Sequence, residues 1–257
     1  MSRKSAPAPQ TPRPSFPARL PSEGAGVRAR TAARPRPVAE PPSGVGLDSQ
    51  AVRVQMVRRL PAIASAEVAQ ALTRVERHRF VDSALVGQAY EDTALPIGLG
   101  QTISKPSVVA RMLDLLVQGR TVPLGRVLEI GTGCGYQAAL LAQLASEVYS
   151  IERLRGLHEK ARENLRPMRL RNLHLLLGDG MLGYAQGAPY AGIIAAAGGA
   201  HLPAAWIEQL APGGRLIAPV ERSGGAQALV VVDHTREGLR QTVLEPVHFV
   251  PLKSGVL

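Results

Sequence analysis

The most constraining feature of this sequence is a repeated order in its second half: a short apolar segment, a turn with glycine or an acidic residue, and a helical pattern. The apolar segments cover residues 126–130, 148–152 and 173–177, and helical spacing follows the first two at residues 136–144 and 154–165. Strands that alternate with helices predict a mainly parallel sheet covered on both faces. We therefore expect an α/β fold with a doubly wound, Rossmann-like sheet that binds its ligand at the carboxyl ends of the strands.

Weaker patterns extend this prediction on both sides. Later strands are expected at residues 193–197, 216–220, 228–233 and 247–250, and a helix at residues 203–210. Upstream, helical spacing begins near Val52 and continues over residues 66–75, which predicts an N-terminal helical addition. Residues 95–106 are expected to form a loop, and Ser104 suits the N-cap of a helix with its apolar face at residues 108–116.

The first predicted strand leads into a glycine-rich loop, Glu-Ile-Gly-Thr-Gly-Cys-Gly at residues 129–135. Glycine permits positive φ angles and lets a ligand approach the backbone. A dinucleotide fingerprint would need a third glycine where Tyr136 stands, so a nicotinamide oxidoreductase is disfavoured. The spacing instead resembles motif I of class I S-adenosylmethionine-dependent methyltransferases. The loop residues expected to contact the cofactor are Gly131, Thr132, Gly133 and Gly135.

Acidic residues stand at the ends of all three predicted strands. Glu129 lies beside the glycine loop, Glu152 ends the second strand, and Asp179 follows the third. A pyrophosphate seeks a helix N-terminus, whereas S-adenosylmethionine presents an ammonium group and ribose hydroxyls that suit carboxylates. We expect Glu152 to accept hydrogen bonds from the ribose, and Glu129 to act through water or by fixing the shape of the loop. Each acid taken alone is also compatible with an ordinary surface or turn residue.

Several motifs over residues 56–257 resemble those of protein-L-isoaspartate O-methyltransferases. The most specific is Leu-Pro-Ile-Gly-Leu-Gly-Gln-Thr-Ile-Ser at residues 95–104, which general methyltransferases lack. Further matches are Phe-Val-Asp at residues 80–82, Gly-Asp-Gly at 178–180, Pro-Gly-Gly at 212–214 and Phe-Val-Pro-Leu at 249–252. The resemblance implies the class I methyltransferase fold and S-adenosylmethionine as the cofactor.

The resemblance also implies a reaction. Such enzymes transfer a methyl group to the free α-carboxylate of L-isoaspartyl residues in damaged proteins, which starts their repair through a succinimide. In the family pattern Ser104 is the active-site serine, and Asp179 contacts the adenine amino group while Gly180 gives backbone room. The residues implied in binding the isoaspartyl peptide are Ile97, Gly98, Gly100, Gln101 and Thr102.

The chemistry of this substrate reduces what the active site must supply. An α-carboxylate has a pKa of about 3.3–3.7 and is ionised at neutral pH, so its methylation needs no strong general base. Positioning and exclusion of water would then carry the catalysis. The six histidines show no metal-ligand spacing, and we expect no metal.

Residues 1–47 differ sharply in composition from the rest of the chain. Ten of the 21 prolines lie there, together with eight basic residues against two acidic ones, which is +6 of the net charge of +10. We expect a disordered basic tail that precedes a methyltransferase domain at residues 48–257. A weak contact of this tail is the only nucleic-acid interaction expected.

The sequence also bears on membrane contact and on the cellular compartment of the protein. No apolar run approaches the roughly 18 residues that span a bilayer, and no apolar segment of a secretory signal follows the N-terminus. Cys134 is the single cysteine, so an intramolecular disulfide is excluded. We expect a monomeric, cytoplasmic protein with no membrane contact.

Two alternatives to the repair enzyme remain at this stage. One is a class I methyltransferase that acts on a small molecule or a nucleic acid. The other is a cofactor-binding domain with reduced activity, because Ala191 stands where the family usually has Asp before its fourth strand. We expect this change to remove a polar anchor near the cofactor side, and Gly192 and Gly198 to loosen the strand.

Overall fold

The computed structural model of the chain describes residues 49–61, 63–222 and 224–257. The predicted tail at residues 1–47 lies outside the described residues. Within those residues, no helix is long and apolar enough to cross a membrane.

The described residues contain a seven-stranded sheet and a two-stranded hairpin. The strands are β1 (Leu95–Gly98), β2 (Gln101–Ile103), β3 (Leu124–Ile130), β4 (Ala145–Glu152), β5 (Leu173–Leu177), β6 (Tyr190–Ala195), β7 (Leu210–Glu221), β8 (Gln227–Thr235) and β9 (Gly238–Val247). The sheet order is β5-β4-β3-β6-β7-β8-β9, in which the first five strands are parallel and the last two pair antiparallel. This confirms the mainly parallel, doubly wound sheet, and the strand order reverses at β3.

Helices cover both faces of the sheet and extend the domain at its N-terminal side. They are α1 (Gln50–Arg59), α2 (Ala66–Arg74), α3 (Pro106–Val117), α4 (Tyr136–Leu144), α5 (Arg155–Leu165) and α6 (Ala204–Glu208). Side chains alternate along a strand, so Val127 and Leu128 of β3 belong to two different hydrophobic cores. The larger core takes apolar side chains from α1 to α5, and the smaller one includes Trp206 of α6.

Two predicted elements differ from the structure. Residues 95–104, expected to be a loop, contain the antiparallel hairpin of β1 and β2, because Gly98 and Gly100 adopt the positive φ angles of a tight turn. The predicted strand at residues 247–250 was wrong, since β9 ends at Val247. β9 is an exposed edge strand, and it therefore lacks the apolar pattern that marks the buried strands.

Ser104 is not the N-cap of α3, contrary to the prediction. Lys105 takes the cap position and Pro106 the first helical position, where its fixed φ angle suits the start of a helix. The Asp92 carboxylate accepts a hydrogen bond from the Ser107 backbone N–H at 2.8 Å. Asp92 thus accepts a hydrogen bond from the first turn of the helix, and the Ser104 hydroxyl accepts none there.

Ala191 lies at the sheet edge opposite the glycine loop. Along β6, Gly192 pairs with Val127 and Ala195 pairs with Ile130 at the end of β3, so Ala191 stands near the start of its strand. The expected loss of an anchor near the cofactor side was therefore wrong. Gly192 does not loosen the strand either, because a Cβ atom there would lie 2.9 Å from Leu116 of α3, and glycine thus allows the helix to pack closely.

Asp114 joins the N-terminal helices to the rest of the domain. Its carboxylate, on α3, accepts hydrogen bonds from the backbone N–H groups of Ser65 at 2.8 Å and Ala64 at 3.2 Å, directly before α2. The first N–H groups of a helix have no partner within the helix. Asp114 is buried, so it satisfies donors that water reaches poorly.

We predict that Asp114→Ala lowers the free energy of unfolding by about 1–3 kcal/mol, because two partly buried backbone donors lose their acceptor. Urea titration followed by circular dichroism measures the change. Glu163→Ala, at an exposed position of α5, is the control and should stay within about 0.5 kcal/mol of the parent protein. Equal losses in the two variants would contradict the assignment.

Candidate functional site

A cavity of about 470 Å³ opens at the carboxyl edge of the parallel strands. The hairpin of β1 and β2, the loop after β3, the end of β4 and residues 250–253 form its walls. The predicted site residues that line it are Ile97, Gly100, Gln101, Thr102, Ser104, Gly131, Thr132, Gly133, Glu152 and Gly180. The cofactor-type and peptide-type motifs of the sequence are therefore brought to one cavity.

The glycine loop exposes its backbone to this cavity. Gly131 and Gly133 have φ angles of +90° and +57°, a region that side chains disfavour. Gly135 does not line the cavity, although it was predicted to contact the cofactor. A Cβ atom at Gly135 would lie 2.7 Å from Leu165 of α5, so this glycine allows helix packing behind the loop.

Glu152 fixes the loop from the neighbouring strand. Its two carboxylate oxygens accept hydrogen bonds from the Gly133 N–H and the Leu154 N–H, both at 2.9 Å. The side chain is 5% exposed and lines the cavity. A carboxylate has about four acceptor sites, so Glu152 retains capacity for a hydroxyl group of a ligand.

Glu129 is fully buried beneath the loop and does not line the cavity. The Ser150 hydroxyl donates to its carboxyl group, and the Ser150 and Thr132 hydroxyls are 2.6 Å apart. Glu129 Oε1 has no partner among the described residues. Burial raises the pKa of Glu129 to about 8. These contacts link Glu129 through Ser150 to Thr132 of the loop, and the role of Glu129 in fixing the shape of the loop stays a prediction.

Asp179 faces the C-terminal segment and not the cavity. Its two oxygens accept hydrogen bonds from the N–H groups of Met181 at 2.8 Å and Gly255 at 2.7 Å. Arg153 also donates to the Gly255 carbonyl at 3.0 Å. The expected contact of Asp179 with adenine therefore remains a prediction, because in this structure its carboxylate is hydrogen-bonded to the backbone of the C-terminal segment.

Several cavity residues were not predicted from the sequence. Apolar walls come from Ile130, Ile151, Leu154 and Leu157, and residues 250–253 and Leu257 close one side. The Phe-Val-Pro-Leu motif at residues 249–252 could have pointed to this segment. Cys134 also lines the cavity, but it is 3% exposed, and burial raises the pKa of its thiol to about 11.

The peptide-type hairpin ends in an exposed apolar tip. Leu99 has a φ angle of +51° between the two glycines and is 62% exposed, while Gly98 does not line the cavity. The Lys160 ammonium group donates to the Ile97 carbonyl and to the Asp82 carboxylate, both at 3.0 Å. Lys160 thus ties one strand of the hairpin to α5.

The Ser104 hydroxyl is available to a ligand in the cavity. Ser104 lines the cavity, as Tyr136 and Gln137 do, and no hydrogen bond joins its hydroxyl to another described residue. Its backbone carbonyl accepts a hydrogen bond from the Arg77 guanidinium at 2.8 Å. Ser104 therefore has a fixed backbone and an uncommitted donor.

The donors and walls of the cavity fit a nucleoside joined to an amino acid better than a dinucleotide. Glu152 offers an acceptor, the backbone at Gly131 and Gly133 is open, and the aliphatic side chains suit an adenine ring. A pyrophosphate binds to free backbone N–H groups at a helix N-terminus. At the N-terminus of α4 the cavity is instead lined by Tyr136, the first residue of the helix. Within the described residues, no group of three His, Cys, Asp or Glu side chains could hold a metal ion.

Known proteins are similar to this chain over most of its length. The family described as protein-L-isoaspartate(D-aspartate) O-methyltransferase matches residues 50–257. The chain is similar to the protein-L-isoaspartate O-methyltransferases of Methylibium petroleiphilum, with 54% identity covering 96% of this chain and 98% of that protein, and of Leptothrix cholodnii, with 58% identity covering 88% and 80%.

Solved structures give the same picture of the fold. One protein-L-isoaspartate O-methyltransferase has a TM-score of 0.72 and 25% identity, covering 81% of this chain and 67% of that one. A protein of Plasmodium falciparum, described as a putative member and solved with S-adenosyl-L-homocysteine, has a TM-score of 0.69 and 24% identity, covering 79% and 97%.

We predict that Glu129 makes the stability of the protein depend on pH. Because its pKa is about 8 in the folded protein and about 4.3 in an unfolded chain, folding takes up a proton between these values. The free energy of unfolding from this group therefore falls as pH rises, by at most about 1.4 kcal/mol per pH unit. Glu129→Gln should remove this contribution, as measured by urea titrations at several pH values.

The matched control is Glu163→Gln, the same substitution at an exposed position. Its stability should follow the parent protein at every pH. If the Glu129→Gln variant also ran parallel to the parent protein, Glu129 would be ionised when folded, and the buried neutral carboxyl group would be refuted.

Proposed function

Because the chain belongs to the protein-L-isoaspartate O-methyltransferase family, we propose that it methylates the free α-carboxylate of L-isoaspartyl residues in damaged proteins. S-adenosylmethionine is the methyl donor, and S-adenosylhomocysteine is the product. The backbone nitrogen of the next residue then attacks the methyl ester and expels methanol to form a succinimide, whose hydrolysis returns a fraction of the damaged residues to normal aspartate. The observation that carries this proposal is the single cavity that joins the glycine loop to Ser104.

The cofactor residues of this proposal divide into two groups. Glu152 accepts from the ribose hydroxyls, while the open backbone of Gly131, Thr132 and Gly133 leaves room for the amino-acid part. Glu129 and Gly135 support these contacts from behind the loop, Asp179 contacts the adenine amino group, and Gly180 leaves backbone room for the adenine. When bound, the cofactor supplies an electrophilic methyl group on a sulfonium ion.

The protein side of the reaction requires positioning more than proton transfer. The substrate carboxylate is ionised at neutral pH, so none of the cavity residues has to act as a strong base. The Ser104 hydroxyl donates a hydrogen bond to this carboxylate and holds one oxygen toward the methyl group. Ile97, Gly98, Gly100, Gln101 and Thr102 line or shape the wall along which an extended peptide lies. Orientation and loss of water then lower the barrier.

We further propose that the protein acts as a monomer in the cytoplasm, without a metal and without a membrane. The proposed reaction needs no metal ion. A single cysteine is compatible with a reducing compartment. Nucleic acid is not a substrate in this proposal, and only the basic residues at 1–47 would contact it weakly.

The two alternatives have less support. A small-molecule or nucleic-acid methyltransferase would not need the peptide-type hairpin, whose residues form one wall of the cavity. Reduced activity was suggested by Ala191, but this residue lies away from the cavity and its carbonyl is held by Arg120 at 2.7 Å. Neither alternative therefore gains an observation from the structure.

The first test of the proposed function is methyl transfer from labelled S-adenosylmethionine to an isoaspartyl peptide. The control is the same peptide with a normal aspartate, which lacks the free main-chain carboxylate. We expect labelling of the isoaspartyl peptide alone. Labelling of transfer RNA or of small acids, with none of the peptide, would overturn the proposal.

We predict that Ser104→Ala lowers kcat/KM for the isoaspartyl peptide by about 10–100-fold, because the carboxylate loses the group that orients it. Calorimetric titration should show unchanged affinity for S-adenosylhomocysteine. Ser107→Ala is the matched control, since this serine is the second residue of α3 and does not line the cavity. Similar kcat/KM values for the two variants would show that Ser104 does not orient the substrate carboxylate.

We also predict that Glu152→Gln weakens S-adenosylhomocysteine binding by about tenfold, which is about 1.4 kcal/mol. The substitution removes the negative charge and one of the two acceptors that hold Gly133 and Leu154. Calorimetric titration measures the dissociation constant. Glu147→Gln, at the other end of β4, should leave it unchanged, and an equal effect of both variants would contradict the contact.

A further inference from the structure

Arg77 is a buried cation whose position no part of the proposed reaction explains. It belongs to a 3₁₀ turn, Arg77–Phe80, and its relative exposure is 0%. It does not line the cavity. Burial of a charged group costs several kcal/mol unless hydrogen bonds replace its water, so its partners indicate what it does.

The partners of Arg77 are the two ends of the substrate segment, residues 89–104. Its Nε donates to the Ala89 carbonyl at 2.9 Å, and its Nη2 donates to the Ser104 carbonyl at 2.8 Å and the Thr93 carbonyl at 3.4 Å. One planar side chain therefore joins the start of the segment to the serine at its end. A guanidinium has five donors in a fixed fork, and this geometry holds several carbonyls at once.

Arg77 also packs against the wall of the cavity. Its Cζ atom lies 4.9 Å from the centre of the Tyr136 ring, and Phe80 of the same turn packs edge-on against that ring. Tyr136 and Ser104 both line the cavity. Arg77 therefore contacts two residues of the cavity wall, the Ser104 backbone and the Tyr136 ring.

We propose that Arg77 is a positioning residue for the isoaspartyl substrate, holding the backbone of Ser104 and both ends of residues 89–104 in the orientation that the substrate needs. This inference rests on the proposed function. Two other contacts fix the same segment: Lys160 donates to the Ile97 carbonyl, and Asp92 within the segment accepts a hydrogen bond from the Ser107 N–H at the start of α3. Arg77 differs from them because it contacts the backbone of Ser104 itself. A loosened Ser104 would cost peptide binding and not cofactor binding, since the cofactor contacts lie on other elements.

The test compares Arg77→Met, which keeps the length without the donors, with Arg77→Lys, which keeps the charge and fewer donors. Arg120→Met is the matched control. Arg120 also donates to backbone carbonyls, those of Leu116 and Ala191, but at the sheet edge away from the cavity. The measurements are kcat and KM for the isoaspartyl peptide, the dissociation constant of S-adenosylhomocysteine, and hydrogen exchange of residues 89–104.

We expect Arg77→Met to raise KM for the peptide by about 10–100-fold, with cofactor affinity within about twofold of the parent protein. Arg77→Lys should recover part of this loss. Hydrogen exchange should increase over residues 89–104 and not over β8. Arg120→Met should lose stability with no change in KM, because unfolding lowers the active fraction and leaves KM unchanged.

Three results would overturn the proposal. One is an unchanged peptide KM in a folded Arg77→Met protein, and another is the same pattern in Arg77→Met and Arg120→Met. The third is loss of cofactor binding in both Arg77 variants, which would make Arg77 a folding residue. If the parent protein itself did not methylate the isoaspartyl peptide, the proposed function would fail, and hydrogen exchange would still decide whether Arg77 holds residues 89–104.

Discussion

The site depends most on the two hydrogen bonds that the Glu152 carboxylate accepts. One comes from the N–H of Gly133 in the glycine loop, and the other from the N–H of Leu154 at the start of the following turn. The ends of β3 and β4 are thereby locked to each other at the point where the sheet order reverses. A loop with three positive φ angles would otherwise have many conformations, and a carboxylate with two backbone partners selects one of them.

Two buried polar side chains behind the site also make hydrogen bonds to backbone or hydroxyl groups without a ligand, although Glu129 Oε1 and Arg77 Nη1 have no partner among the described residues. Glu129 lies under the loop with Ser150, and Arg77 lies behind the hairpin with three carbonyls. Such groups are costly to bury and cannot easily move. The cavity is thus preorganised on both sides, which suits a reaction that depends on orientation.

The sequence predicted the central sheet well because β3 and β4 are largely buried, β5 is half-buried, and each of the three strands carries several apolar residues in the sequence. It failed where burial was absent, as in the exposed strand β9. Ser104 was misplaced as a helix cap because Ser is a good cap in general, and the role of Asp92 from a preceding turn depends on tertiary contacts. Asp179 and Gly135 were close to the site in sequence, but only the packed structure shows that their contacts lie with Gly255 and Leu165.

The closed glycine loop also protects the thiol of Cys134, the single cysteine of the chain. Cys134 lies in the glycine loop at 3% exposure, and burial raises the pKa of its thiol to about 11. Since the thiolate is the reactive form, a closed loop leaves almost none for an alkylating reagent or an oxidant. Alkylation of Cys134 therefore requires the loop to open, and the rate of alkylation measures how often the loop opens.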